Sequence, residues 1–257
     1  MVDIHKTATV DGRAELGEGV VVGPYAFISG PAVIGAGTVI GPYVLIEGAV
    51  SIGQRCRVFS HAVLGTIPQD MKFEGEESDL KIGDGTTVRE FVTVNRGTKA
   101  SGTTRVGNDC LLMAYAHVAH DCVLGDNVGL ANGATLAGHV EIGDYAFIGG
   151  LSAIHQFTRV GKHAYIGGMS RVSQDIIPYA LTASEPTRVV GINVVGLQRR
   201  GFTAETRAAL KKAYQIIYRE DLNKGQAVEK LKAELAGVAE VRDIIDFLET
   251  SDRGILK

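Results

Sequence analysis

The sequence predicts a mainly β protein: a three-sided parallel β-helix built from six-residue repeats, followed by a small α-helical domain. Three observations predict it. Every sixth residue from Val10 onward is aliphatic, and the residue two places before it is small or β-branched. After Asp175 that period disappears and helix-type spacing replaces it.

The repeat comes first in the chain. Ten hexads run from Val10 through Leu64, three are marked by Ile82, Val88 and Val94, and twelve run from Val106 through Val172. The preceding small position holds residues such as Ala8, Ala14, Thr38, Ala116, Ala134 and Ser170, with Leu80 as the one large exception. Gly follows the aliphatic residue in thirteen of these twenty-five hexads. A period of six fits neither an amphipathic helix nor a long alternating strand. It fits short strands joined by tight turns, three hexads to a coil, with the aliphatic and the small residue filling the prism. Cys56, Cys110 and Cys122 all occupy the small inward position, so packed thiols are expected there rather than a disulfide or a metal site.

Two excursions interrupt the coil. TIPQDMKFEGEES lies between Gly65 and Asp79 and carries Gln69, Asp70 and Lys72 within four residues; GTKASGT follows Arg96. Both return to the same phase, so the stack continues beyond them. Loops on a rigid scaffold carry function more often than their share. The segment IIPYALTASEPTRVVGINVVGLQRRG has two prolines and no period, and reads as a connector. Beyond it Thr203 is an N-cap candidate, and Leu210, Ala213, Ile216 and Ile217 stand at helix spacing. AVEKLKAELA and VRDIIDFLETS repeat that pattern. The division expected is 1–190 for the coil and 191–257 for the helices.

Composition narrows the function. A net charge of −3 gives no case for nucleic-acid binding, and 33 Gly with no Trp suit a slender core. No apolar run reaches membrane-spanning length, and MVDIHKTATV lacks the apolar core of a signal peptide, so the chain reads as cytoplasmic.

With three hexads to a coil, residues eighteen apart stack on one edge. His120 then lies under Gly138, and Gly138 under Gln156. His139 and His155 flank that column on successive coils, and His117 begins the turn that holds His120. Gly138 lacks a Cβ, which leaves its N–H open beside His120 as a donor for an oxyanion. Two chemistries use such a cluster: three imidazoles around zinc, as in the γ-type carbonic anhydrases, or one neutral imidazole as a general base on a hydroxyl. The loop PQDMK and the segment NVVGLQRRG favour the second, because they supply groups suited to a sugar and a phosphate. A scaffold or trimerisation coil without catalysis would need neither the clustered histidines nor two adjacent arginines.

AHVAHDC, ATLAGHVEIG, HQFTRVG, PQDMKFEGE and NVVGLQRRGF together resemble the UDP-N-acetylglucosamine acyltransferase family of hexapeptide-repeat acyltransferases, over essentially the whole chain. The resemblance implies a left-handed parallel β-helix, a hand the spacing does not reveal and an exception to the usual right-handed crossover. It implies a homotrimer with a site in each groove between coils, and transfer of a 3-hydroxyacyl chain from acyl carrier protein to the 3-hydroxyl of UDP-N-acetylglucosamine, the first step of lipid A synthesis. Transfer to a 3-amino nucleotide sugar is the alternative, since the same base serves both. No cofactor is expected.

Carried over by motif, His120 is the general base, Asp121 orients it, and Gly138 N–H meets the oxyanion. His117, His139, Gln69, Asp70 and Lys72 are expected to hold acyl or sugar portions, and Gln156 with His155 to face the nucleotide. Asn193, Arg199 and Arg200 are expected at the diphosphate, where a guanidinium offers forked donors. Some members carry an acid where this chain has Val195. Arg159, Lys162 and Arg171 are candidates for a basic surface that docks the acidic carrier protein. The resemblance also makes Gly168 the limit on acyl-chain length. Each buried methylene is worth about 0.8 kcal/mol, so a groove left open for four more carbons favours a fourteen-carbon over a ten-carbon donor by roughly 3 kcal/mol.

Overall fold

The computed structural model describes residues 1–257. Twenty-six short strands, β1 (Asp3–Ile4) to β26 (Arg171–Val172), wind into a left-handed parallel β-helix. Strands from successive coils pair in parallel into three faces. The first face passes through Leu111–Leu112, the second through His117–Val118 and the third through Val123–Leu124. The phased residues are the reason. Ile28, Leu112 and Leu136 are buried with their small partners Ala26, Cys110 and Ala134, while the residue between each pair faces outward. Burying one such aliphatic side chain stabilises by about 1.5–3 kcal/mol, and every coil repeats the gain.

Some inward positions are polar, and they serve the backbone. Thr38, Thr86 and Ser152 donate their hydroxyls to the carbonyls of Gly53 (2.8 Å), Gly107 (2.8 Å) and Gly167 (3.0 Å) on the next coil. The three cysteines are buried and free. Their thiols make the same contact with Gly83 (3.1 Å), Gly125 (3.2 Å) and Ala137 (3.1 Å). They are packed thiols, as their phase predicts.

The faces meet at three edges, where the chain turns through left-handed backbone. Tyr115, Gly133, Leu151 and Met169 mark the first edge; Asp121, His139 and Phe157 the second; Asn127, Tyr145, His163 and Tyr179 the third, all at φ near +60°. A non-glycine residue gives up about 1–2 kcal/mol in that region. Cross-coil hydrogen bonds offset it, as where His139 N–H donates to His120 O (3.0 Å) and Phe157 N–H to Gly138 O (3.1 Å).

Both excursions are whole numbers of hexads, which is why phase survives them. Along the second face Val63 pairs with Thr93 across thirty residues and Thr93 with His117 across twenty-four. From His117 to Thr135 the spacing settles at eighteen.

The segment read as a connector is ordered. β27 (Ala180–Ser184) and β28 (Thr187–Ile192) form an antiparallel hairpin, and Leu181 pairs with Tyr165 to close the first face. Its two prolines punctuate the hairpin rather than abolish it: Pro178 precedes β27 and Pro186 sits in the turn. A short helix α1 (Val194–Arg199) follows. Then come α2 (Ala204–Arg219), α3 (Lys224–Leu235) and α4 (Ala239–Glu249). Thr203 caps α2 by accepting from Thr206 N–H, and Leu210, Ala213, Ile216 and Ile217 are buried as their spacing predicts. α4 packs back on the coil: Lys162 pairs with Asp243 (2.8 Å), and the Arg159 guanidinium lies over the Phe247 ring (4.7 Å). Of the three basic residues considered for docking, only Arg171 makes no ion pair. No helix is long and apolar enough to cross a membrane.

Candidate active site

The second edge holds a hydrogen-bonded dyad. Asp121 occupies the left-handed turn position, its backbone fixed by donation of its N–H to the buried Thr104 hydroxyl (2.9 Å). That turn swings the Asp121 side chain back onto its neighbour, and His120 Nδ1 lies 2.8 Å from Asp121 Oδ2. The carboxylate is wholly enclosed, and the imidazole retains 13 % exposure. Burial alone would raise the Asp121 pKa. Hydrogen bonds from Ser101, His120 and Thr98 outweigh it and hold the group at about 2. An ionised carboxylate only accepts, so His120 Nδ1 must carry the proton and Nε2 the lone pair.

Gly138 lies against that free nitrogen. A Cβ there would sit 2.7 Å from His120 Nε2 and 2.6 Å from Cε1, so only glycine admits the ring. Gly138 N–H donates to no acceptor within the chain. His139 closes the other side, its ring edge-on to His120 at 5.1 Å and stacked on Phe157 at 4.5 Å. Its Nε2 is 3.6 Å from Asp121 Oδ2, beyond a hydrogen bond. Burial lowers the pKa of both His139 and His117. His117 Nδ1 lies 2.6 Å from Thr93 Oγ1. His155 faces elsewhere, toward the C-terminal segment, where Arg253 Nη2 donates to its Nδ1 (2.8 Å).

The two excursions flank this edge and brace each other. Asn95 Nδ2 donates to the carbonyl of Ile67 (3.0 Å) and so holds the start of the first loop. Glu76, near its end, accepts the Lys99 N–H of the second loop (3.1 Å). Asp70 accepts Lys72 N–H (3.0 Å) and lies close enough to His139 to favour its charged form. Gln69 and Lys72 are exposed.

The remaining predicted residues, Gln156 apart, stand on other edges. Asn193 caps α1: its Oδ1 accepts Gly196 N–H (3.0 Å) and its Nδ2 donates to His163 O (3.0 Å). Arg199 and Arg200, at the end of α1, border a pocket of about 800 Å³ walled by Tyr145, Phe147, Tyr165 and Val194. Val195 lines it too, with no carboxylate to offer. Arg200 lies over the Tyr145 ring (5.1 Å), which belongs to the third edge. Gly168 sits on the first edge, exposed beside Met169, where a Cβ would stand 3.2 Å from Gly150 O. Gln156 is exposed on the second edge, one coil above Gly138. A single chain therefore gathers His117, His120, Asp121, Gly138 and His139, and holds Arg199, Arg200 and Gly168 apart from them.

A metal here would have to displace the hydrogen bonds of Asp121. The group with ligand atoms within 4.8 Å of one another is His120, Asp121 and His139, two imidazoles and a carboxylate rather than three imidazoles. The carboxylate is already saturated: Thr98 N–H (3.0 Å) and the Ser101 hydroxyl reach Oδ1, while the Thr98 hydroxyl (2.7 Å) and His120 reach Oδ2. The hydroxyls of Thr98 and Ser101 are the part of the site that sequence reasoning missed. The only signal was their place in the second excursion, whose partner Asp121 lies 20 residues beyond Ser101 and 23 beyond Thr98.

A β-helix carrying a His–Asp dyad on one edge defines a hexapeptide-repeat transferase. The family description "Bacterial transferase hexapeptide (six repeats)" matches residues 103–138, and "Udp N-acetylglucosamine O-acyltransferase; Domain 2" matches residues 175–256. The acyl-[acyl-carrier-protein]–UDP-N-acetylglucosamine O-acyltransferase of Thiobacillus denitrificans is 49% identical over 100% of both chains. That of Herminiimonas arsenicoxydans is 49% identical over 99% of each. The crystal structure of the UDP-N-acetylglucosamine acyltransferase of Bacteroides fragilis superposes with a TM-score of 0.97 at 42% identity, covering 98% of this chain and 99% of the other. The chain belongs to the UDP-N-acetylglucosamine O-acyltransferase family.

Proposed function

We propose that this protein transfers a 3-hydroxyacyl group from acyl carrier protein to the 3-hydroxyl of UDP-N-acetylglucosamine, opening lipid A synthesis in the cytoplasm, with His120 as general base. One observation carries the mechanism: ionised Asp121 fixes the Nδ1–H tautomer of His120 and leaves Nε2 free against Gly138. Nε2 takes the sugar hydroxyl proton as that oxygen attacks the thioester carbonyl. Gly138 N–H donates to the tetrahedral oxyanion. Collapse breaks the C–S bond, and the imidazolium returns its proton to the departing thiolate. Proton transfer by a positioned group contributes about 10²–10⁴-fold. Neither step calls for a cofactor.

In this reading residues 1–190 form the catalytic coil and 191–257 the helical domain. The protein works as a homotrimer, in which the His120 edge of one protomer faces the Arg199–Arg200 pocket of the next. Those arginines hold the diphosphate, and Asn193 fixes the helix that carries them. His117, His139, Gln69, Asp70 and Lys72 surround the sugar and the start of the acyl chain, and Gln156 with His155 stands toward the nucleotide.

The test offers purified protein UDP-N-acetylglucosamine and its 3-amino counterpart with acyl carrier thioesters, and reads the products by mass. O-acylated product from wild type, and none from a folded His120→Ala, is expected. Product from the amino sugar alone would move the assignment to N-acylation. Equal turnover in His120→Ala would remove the base.

A further inference from the structure

The second excursion is built around a buried charge. It leaves the coil after Arg96, and Gly102 N–H donates to Thr98 O (2.7 Å), closing a tight turn. Gly102 sits at φ +75°, and a Cβ on Gly97 would be 2.3 Å from Thr103 N, so both glycines are needed for that geometry. The turn points its donors inward. Thr98, only 6% exposed, gives Asp121 both its N–H (3.0 Å, to Oδ1) and its hydroxyl (2.7 Å, to Oδ2). Ser101 Oγ also lies 3.0 Å from Thr103 O, but its single proton goes to the nearer, charged Oδ1. Three of the four donors on Asp121 thus come from one insertion, and the fourth is His120.

We propose that Thr98 and Ser101 are positioning residues for acyl transfer: they hold the Asp121 carboxylate in the one orientation that keeps His120 in its Nδ1–H tautomer. The proposal rests on reading His120 as the base. The physical reason lies in rotational freedom. A carboxylate bound only by an imidazole turns about its own χ angles, and a loosened imidazole returns toward the alternative Nε2–H form, whose exposed nitrogen cannot accept a proton. Two hydroxyls and an N–H from a separate segment over-determine that orientation. The second loop is itself braced by the first through Glu76 and Lys99 N–H, which ties the dyad to the loop carrying Asp70 and Lys72.

The experiment compares wild type with Thr98→Val, Ser101→Ala and the double variant, using steady-state kinetics and ¹⁵N NMR of labelled histidines. Thr98→Val keeps the bulk and the N–H, and Ser101 is exposed, so both should fold. Each single variant is expected to lose about tenfold in kcat, as removal of a hydrogen bond to a charged group allows. The double variant should lose more, with KM for both substrates within about twofold. The His120 nitrogens, in the neutral ring, should move from a pure Nδ1–H signature to a mixture, and Thr98→Ser should restore both readouts. A double variant with wild-type kcat and a pure tautomer would overturn the proposal. So would a fall in kcat that arrives only with raised KM and a lowered Tm. The NMR arm is independent of turnover: a tautomer shift in the variants, alongside a wild type that transfers no acyl group, would keep the positioning role and discard the transfer reading.

Discussion

At the residue scale, the site depends on one missing atom. Gly138 admits the His120 ring where any Cβ would collide with it, at 2.6 Å from Cε1. Gly138→Ala is therefore expected to displace the imidazole with little change in thermal stability. A displacement near 1 Å costs about 10²-fold in rate, so kcat measured beside a melting curve checks it. A wild-type kcat would mean that Gly138 does not set the ring. Gly168 presents a second case, an exposed position where a Cβ would stand close to the Gly150 carbonyl oxygen, at 3.2 Å. Gly168→Met should shift donor preference from fourteen-carbon toward ten-carbon chains, by up to about a hundredfold if four methylenes lose their burial. Direct competition between the two thioesters reads the ratio, and an unchanged ratio would remove the length limit from this residue.

At the scale of elements, the third edge joins the coil to the helices through a stack of rings. His163 lies between Tyr145 (4.9 Å) and Tyr179 (5.5 Å), with Phe202 edge-on and its Nδ1 buried without a partner. Burial first, then the nearby charges of Arg200 and Lys162, push its pKa down to about 4. The unfolded chain binds this proton near pH 6.5 while the folded chain does not until about 4, so stability falls as pH drops through that window. Between pH 7 and 5 the loss amounts to at most about 2 kcal/mol. Urea unfolding at the two pH values should show it, and His163→Phe should flatten the difference. The aromatic substitute keeps the stack, so an equal loss in the variant would place the titrating group elsewhere.

At the scale of the molecule, one chain distributes its functional groups over three edges. His120 stands on the second and Arg200 against the third, and in the proposed trimer a neighbouring copy brings the two together. Mixed oligomers test this. In trimers assembled from equal amounts of His120→Ala and Arg200→Ala chains, a site works when its base comes from one variant and its arginine from the other. Each condition holds for half of the subunits, so about a quarter of wild-type activity should return. No recovery on mixing would mean that both groups serve a site within one chain.

The coil was legible in the sequence because its physics is local and repeated. A six-residue period with an aliphatic and a small residue per turn admits few other solutions, and the same phase puts Gly138 over His120. The helices beyond Thr203 were legible for the same reason, through spacing and a cap. The hairpin was not: two strands of five and six residues, each following a proline, carry too short a pattern to stand out, and only pairing of Leu181 with Tyr165 makes them a continuation of the first face. The environment of Asp121 was not legible either. Its phase located it, but whether its carboxylate turned toward His120 depended on a left-handed backbone and on hydroxyls folded in from residues 98 and 101. The sequence by itself determined the scaffold and the column on which the base sits, since both follow from periodicity. The tertiary structure alone decided the tautomer of that base and the separation of the arginines from it, because both arise from contacts between segments that no period relates.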